Sequence, residues 1–479
     1  MPLAYAALPH ASLEELMTTD PALLSAEELT TLYARRTLSP VEALQAVTER
    51  VARLNPRVNA CAVMNPNALA AAGESTARWA AGRPMGQLDG VPVTVKDLID
   101  MAGLPTRRGS RLSDPAPAAQ DAPMVMGLKA AGAVIIGKTT TTEFGWKSPG
   151  DCPLHGITRN PWSLHHTPGG SSAGAGAAAA ACFGPLHIGT DAGGSVRIPA
   201  AWSGVVGLKP TFGRVPQWPL GAFASVAVAG PITRTVRDAA LMLNALARHD
   251  LRDPFCLPDD NRDWRGNIEN GVAGMRIAVL RRPGFDAPVD WEGIAAIEQA
   301  ARIFTDAGAE VEEADPGLPD TRAIFSRIWG VALTRVVHSF PEANRHMLDQ
   351  GLMEVAAHNS NVTADEMMDF EAQRIAAAHA MAKFHLTYDL VLCPTVPNPP
   401  PLADARTVKP IDALWTQWAP WTCMFNLTRQ PAISVPMGFA PNGLPRSVQI
   451  GAAIYRDDLV LRAARVLEIA APFGVADLK

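Results

Sequence analysis

From Thr167 to Thr190 the chain contains no Asp, Glu, Lys or Arg and is built mostly of Gly, Ala and Ser, with Leu and Ile nearly absent. An uncharged run of that length raises the question of a membrane span. Its small residues are too weakly hydrophobic for one, because a spanning helix needs some twenty predominantly apolar side chains. The run therefore reads as close-packed protein interior. The chain has 479 residues, enough for a large core around such a segment.

Composition narrows the class further. Apolar residues make up 48% and charged residues 19%, the balance of a folded chain and not of a disordered one. The net charge is −5, and no Lys/Arg-rich run offers a nucleic-acid footprint. Six cysteines, at 61, 152, 182, 256, 393 and 423, form no C-x-x-C pair and no His/Cys cluster, which argues against zinc and against a disulfide framework. The start, MPLAYAALPHASLEEL, lacks a basic n-region followed by an apolar stretch, so a cytoplasmic protein is expected.

Local signals outline an α/β fold. Ser25-Ala26-Glu27-Glu28 and Ser39-Pro40-Val41-Glu42 are capping boxes that open N-terminal helices, with apolar residues at helical spacing behind them. Strand signals follow at 91–95, 133–137, 275–280, 390–393, 432–436 and 448–450, and helical patterns such as 124–131 separate most of them. Strands alternating with helices predict a mixed, mostly parallel central β-sheet covered by helices on both faces. The chain reads as one domain over 1–479, with a helical segment over about 1–80. A stretch over about 290–385, rich in Ala, Met, Glu and Arg, reads either as a helical insertion near a substrate entrance or as ordinary surface helices.

Two short patterns mislead. Gly132-Ala-Val-Ile-Ile-Gly137-Lys138-Thr139 spells a phosphate-binding loop, but its inner residues are strand formers and no strand precedes it. Gly170-Ser171-Ser172-Ala173-Gly174 spells a nucleophile elbow centred on Ser172, yet a loop containing His165 and His166 stands where the elbow needs a strand. The spacing of His155, His165, His166 and His187 fits no metal-ligand pattern, so no metal and no cofactor is expected.

Three segments carry chemistry together. They are Val93-Thr-Val-Lys96-Asp-Leu-Ile-Asp100, Thr167-Pro-Gly-Gly-Ser171-Ser172-Ala173-Gly174, and Gly189-Thr-Asp191-Ala-Gly-Gly-Ser195-Val-Arg197-Ile-Pro199. In order and separation they resemble the amidase signature family. The similarity continues through His155–Trp162, Gly204–Thr211 and Asn426–Gly438. The resemblance implies an amidase-signature fold, with Ser195 as nucleophile, Lys96 as base and Ser171 as the proton shuttle between them. It also implies a cis peptide between Gly170 and Ser171. The residue chemistry agrees. Amide cleavage needs a nucleophile, a base, oxyanion donors and an acid for the leaving amine. Gly193 and Gly194 let the backbone turn sharply, so that the amides of Ala192, Gly193, Gly194 and Ser195 can form an oxyanion hole. Lys96 stands in an apolar run, where burial lowers its pKa and frees it to accept a proton. Ser172 is expected to orient the network, and Asp191 and Arg197 to hold the nucleophile loop as a structural pair.

Two positions depart from the family pattern: Ala173 and Arg429 stand where Gly is usual. Trp415, Trp418, Trp421, Met424 and Phe425 cluster near Arg429 and read as an aromatic pocket wall or as core packing. As a pocket wall, they favour hydrophobic or aryl amides, with Arg429 the only nearby counter-charge. The expected partner is thus a small-molecule amide, with no nucleic acid or membrane; homo-oligomerisation is left open. The leading function is a stand-alone amidase, with ester cleavage as a side activity. Its rivals are the glutaminase-type subunit of a tRNA-dependent amidotransferase and a non-catalytic binding protein on the same scaffold. Ser225-Val-Ala-Val-Ala-Gly-Pro looks more like the stand-alone enzymes, and an intact Lys96/Ser171/Ser195 set argues against lost catalysis.

Overall fold

The computed structural model describes residues 12–404 and 419–478. Its first strands are β1 (Cys61–Met64), β2 (Pro92–Lys96) and β3 (Val134–Thr139). A two-stranded hairpin, β4 (Asp151–Cys152) and β5 (Gly156–Ile157), stands apart. Then come β6 (Leu186–Asp191), β7 (Val206–Lys209), β8 (Val228–Thr233), β9 (Arg276–Val279) and β10 (Glu310–Glu313). The last are β11 (Leu390–Pro394), β12 (Ala432–Phe439) and β13 (Pro445–Ala452). Apart from the hairpin they form one 11-stranded sheet in the order β1-β3-β2-β6-β8-β7-β12-β13-β11-β9-β10.

The sheet is mixed and flanked by helices. Parallel pairs gather in two blocks, β3-β2-β6 and β11-β9-β10, and the strands between those blocks pair antiparallel. The expected predominance of parallel pairing thus holds within the blocks and not across the middle. The first block positions the site. Val93 and Val95 of β2 pair with Leu186 and Ile188 of β6, so Lys96 and Asp191 emerge together at the carboxyl ends of neighbouring parallel strands. That is where α/β sheets place ligands.

The uncharged run is interior. The helix Ala173–Ala180 within it is buried at every position. A Cβ on Gly176 would lie 2.9 Å from the Pro199 side chain of the helix Arg197–Ser203, so glycine is what lets these two helices meet. Among the described residues no helix is long and apolar enough to cross a membrane. Both N-terminal capping boxes form: Ser25 N donates to Glu28 Oε2 at 2.7 Å and Ser39 N to Glu42 Oε2 at 2.7 Å. The helix Pro40–Val58 turns Leu44, Val47, Val51, Leu54 and Val58 onto Val134 and Ile136 of β3.

The 290–385 stretch divides in two. The helix Trp291–Asp306 and β10 complete a parallel crossover with β9 at the sheet edge. The helices Thr321–His338, Gln350–His358 and Ala364–Phe384 form a layer beyond it. The decoy at 132–139 is β3 itself, with Lys138 buried against Asp97 at 2.9 Å.

Candidate active site

Lys96 closes β2 with no solvent exposure. Its Nζ lies 2.8 Å from Ser171 Oγ and 2.9 Å from Thr190 Oγ1. Burial drives its pKa well below the ordinary lysine value, and only the charge of Asp191 opposes that fall. Without a paired carboxylate the charged form of so buried an amine is disfavoured, and its shortest contact is with the Ser171 hydroxyl. The Gly170–Ser171 peptide is cis. Ser172 Oγ meets the Thr190 backbone at 3.3 Å, and its amide donates to Ser195 O at 3.3 Å. The three segments are therefore tied to one another by short polar contacts.

The loop after β6 is organised by Asp191. Its carboxylate accepts from the Gly194 amide at 2.7 Å, from the Val196 amide at 3.1 Å and from Arg197 Nε and Nη2 at 3.0 Å each. Asn426 Nδ2 adds a bond to Oδ1 at 2.9 Å. Both partners of the pair are completely buried. Burial pushes the Asp191 pKa up, but the charge and hydrogen bonds of Arg197 outweigh it and hold it at about 2. Arg197 spends its other protons on Thr422 O, Gln449 Oε1 and Asn426 Oδ1. One expected oxyanion donor is thereby lost: the Gly194 amide is committed to Asp191 and cannot serve a substrate oxygen. The amides of Ala192, Gly193 and Ser195 have no protein acceptor among the described residues. Gly194 has φ +128°, and a Cβ there would collide with the Thr422 hydroxyl, so glycine is required on two counts.

Ser171, Thr190, Ala192 and Ser195 open onto a cavity of about 510 Å³. Its apolar walls come from Leu98, Leu112, Phe144, Phe223, Trp329 and Phe340. Phe223 stacks on Trp329 with ring centroids 3.8 Å apart, and Phe144 meets Phe340 at 5.5 Å. The aromatic wall expected around Trp421 is elsewhere. Trp421, Met424 and Phe425 are each at most 1% exposed and pack with Val391, Cys393 and Ala432 behind the site, so they are core. Arg429 does not line the cavity either; its guanidinium lies 4.3 Å over the Phe212 ring. It sits at φ +62°, the conformation that makes Gly usual there. Trp415 and Trp418 lie outside the described residues.

A family model described as Amidase matches residues 42–461. The chain belongs to the amidase signature family. It is similar to an acylamidase of Rhodococcus erythropolis, 37% identical over 461 residues that cover 94% of this chain and 96% of the relative. The matching subunit of the glutamyl-tRNA(Gln) amidotransferase from Acidothermus cellulolyticus is 35% identical over 490 residues, covering 93% of this chain and 94% of the relative. A solved bacterial aryl acylamidase of the same family superposes with a TM-score of 0.86 at 29% identity, over 94% of this chain and 96% of that one. By this membership the chain is an amide hydrolase.

Sequence reasoning missed several residues of this amidase. Thr190, which holds Lys96 Nζ, looked like part of the small-residue run, though it directly precedes Asp191. Asn426 and Gln449, which complete the Arg197 shell, are amides in otherwise apolar segments, and an isolated buried amide implies a hydrogen-bond debt. The cavity aromatics left no local signal, since Phe144, Phe223 and the Trp329/Phe340 pair come from three segments far apart in the chain.

Proposed function

We propose that this amidase is a stand-alone serine hydrolase of hydrophobic or aryl carboxylic amides, acting through a Ser195 acyl-enzyme. The observation that carries the reading is the fully buried Lys96 Nζ, 2.8 Å from Ser171 Oγ, beside a cavity that Ser171 and Ser195 share. Ser195 Oγ attacks the amide carbonyl while its proton passes to Ser171 Oγ, and the Ser171 proton passes to Lys96 Nζ. The oxyanion is held by the amides of Ala192, Gly193 and Ser195. Collapse of the tetrahedral intermediate breaks the C–N bond, and the proton returns from Lys96 through Ser171 to the departing nitrogen. Water then attacks the acyl-enzyme along the same relay and regenerates Ser195. Esters share the acyl-enzyme route and are side substrates. Asp191 and Arg197 act as a structural pair that fixes the loop geometry, and Ser172 fixes it against Thr190.

The aromatic side chains of the cavity support the substrate class. Flat apolar surfaces favour an aryl or aliphatic group, while of the charged side chains that also line the cavity, Arg108 is already paired with Asp100. Similarity to an acylamidase and to an aryl acylamidase points the same way. The relative that is part of an amidotransferase motivates the second reading, glutamine hydrolysis in an assembly. Purified chain alone, assayed against anilides, aliphatic amides, glutamine and asparagine with product detection, separates them. Higher kcat/KM for anilides is expected. A preference for glutamine, or activity only with an added partner protein, would favour the second reading.

A further inference from the structure

Between β3 and the β4–β5 hairpin, the five residues Glu143-Phe144-Gly145-Trp146-Lys147 form one turn with two faces. One face belongs to the cavity. Phe144 and Gly145 line it, and a Cβ on Gly145 would lie 3.1 Å from Ser171 Oγ. The other face grips the helical layer. Glu143 Oε2 accepts from the backbone amide of Asp349 at 2.6 Å, at the start of the helix Gln350–His358. Lys147 Nζ bridges Asp151 and Asp349, each at 2.7 Å. Trp146 O accepts from Trp329 Nε1 at 3.2 Å. The helix Gln350–His358 in turn packs on Thr321–His338, where Thr334 Oγ1 donates to Ala356 O at 3.0 Å. The turn thus joins the shuttle serine to the helix that carries Trp329.

Glu143 is the odd member of this joint. It is completely buried, and its Oε1 has no hydrogen-bond partner among the described residues. The two acids beside it, Asp349 and Asp151, are both paired with Lys147. We propose that Glu143 is a positioning residue that sets the aromatic wall against Ser171, and that it does so as the neutral acid. Ionisation would put a second negative charge beside Asp349 in a dry interior, at the point where the helical layer is fastened. The groups facing it are the Asp349 carboxylate, the Lys147 ammonium with its second partner Asp151, and the Cys152 thiol. Burial pushes the Glu143 pKa up to about 7; Ser110, the Asp349 amide and Lys147 pull it down, and the Asp349 charge adds to the rise. The Cys152 thiol, pushed up by burial to about 11, stays neutral over the same range. A raised folded-state pKa means the fastening is complete in acid and weakens as pH rises through neutrality.

The inference rests on the cavity being the substrate site of the proposed amidase, and its test separates the two. Wild type, Glu143→Gln and Glu143→Ala are assayed with 4-nitroacetanilide across neutral pH, KM and kcat are read separately, and Ser195 labelling by a fluorophosphonate is followed in parallel. In wild type, KM should rise about tenfold as pH passes from mildly acidic to alkaline, with kcat changing less. Glu143→Gln keeps an acceptor for the Asp349 amide and cannot ionise, so its KM should stay low and flat. Glu143→Ala should show a high KM at every pH. A Gln variant whose KM tracks wild type across the range would overturn the proposal, whether or not the Ala variant folds. Fluorophosphonate that reacts equally well with Ser195→Ala would instead overturn the active-site reading beneath it.

Discussion

Replacing Lys96 by Met should destroy turnover and stabilise the protein, and the second effect should depend on pH. Lysine has an ordinary pKa of 10.5, and burial lowers that of Lys96. For Lys96 to be neutral at pH 7, folding must strip a proton that the unfolded chain holds at the ordinary lysine pKa of 10.5, at a cost of about 5 kcal/mol. At pH 9 the same release costs about 2 kcal/mol. Methionine matches the side chain in length and removes this cost, but it loses the contacts with Ser171 and Thr190, at about 1 kcal/mol each. The net stabilisation is therefore about 3 kcal/mol at pH 7 and about zero at pH 9. The sign follows from linkage: a lysine whose folded pKa is depressed leaves the native state with fewer bound protons, so wild type gains stability as pH rises toward 10.5. Urea midpoints of both proteins at the two pH values measure the difference, and 4-nitroacetanilide turnover should fall about 10³-fold or more, since the base and its relay are lost together. A midpoint difference that is the same at both pH values would show that Lys96 is charged in the folded protein, and the proposed base would be lost.

Three further outcomes follow from the geometry. Ser195→Ala should abolish fluorophosphonate labelling, while Ser172→Ala, which loses only contacts with the Thr190 backbone, should retain labelling at a reduced rate; the reverse pattern would restore the elbow reading. Asp191→Ala strands the Arg197 guanidinium in a fully buried site and should cost about 3–5 kcal/mol of stability, read by denaturant midpoint. The native Asp191 pKa of about 2 makes its contribution complete above the ordinary value of 3.8 and lost as pH falls through 2, so the gap between wild type and Asp191→Ala should narrow in acid. Trp329→Ala should raise KM for an anilide more than it lowers kcat, and an unchanged KM would remove the aromatic wall from substrate binding.

Legibility in the sequence followed burial on two faces. β2, β3, β9, β11, β12 and β13 announced themselves as β-branched runs. β6 and β8 did not: Leu186-His-Ile-Gly-Thr-Asp191 and Val228-Ala-Gly-Pro-Ile-Thr233 dilute the strand signal with Gly and Pro. A reason for the glycine at 230 is contact, since a Cβ there would collide with the Leu208 carbonyl of the neighbouring strand. β10, Glu-Val-Glu-Glu, is an exposed edge strand with a single apolar side chain, and nothing local separates it from the helices around it. It is the crossover geometry of β9 and the helix Trp291–Asp306 that makes it a strand.

The site divides along the same line. The proposed set of Lys96, Ser171 and Ser195 was legible because each one constrains the residues beside it. The loop after β6 needs glycine at 194 for its φ and for clearance from Thr422, and an acid at 191 to gather amides that would otherwise be left unpaired. Chemistry done by the backbone leaves a continuous mark in the sequence. The pocket wall leaves none, because its four rings come from three separate stretches, Phe144, Phe223, and Trp329 with Phe340 on and just past one helix, and any one of them alone looks like ordinary core. Trp421, Met424 and Phe425 show the converse: adjacency in sequence suggested a surface for substrate, but the strands β11 and β12 claim all three for the core behind it. On the proposed reading, substrate preference is set by how the helical layer is seated on the sheet, and the turn from Glu143 to Lys147, fastened on one side to Asp349 and placed on the other beside Ser171, is the part of the chain where the two meet.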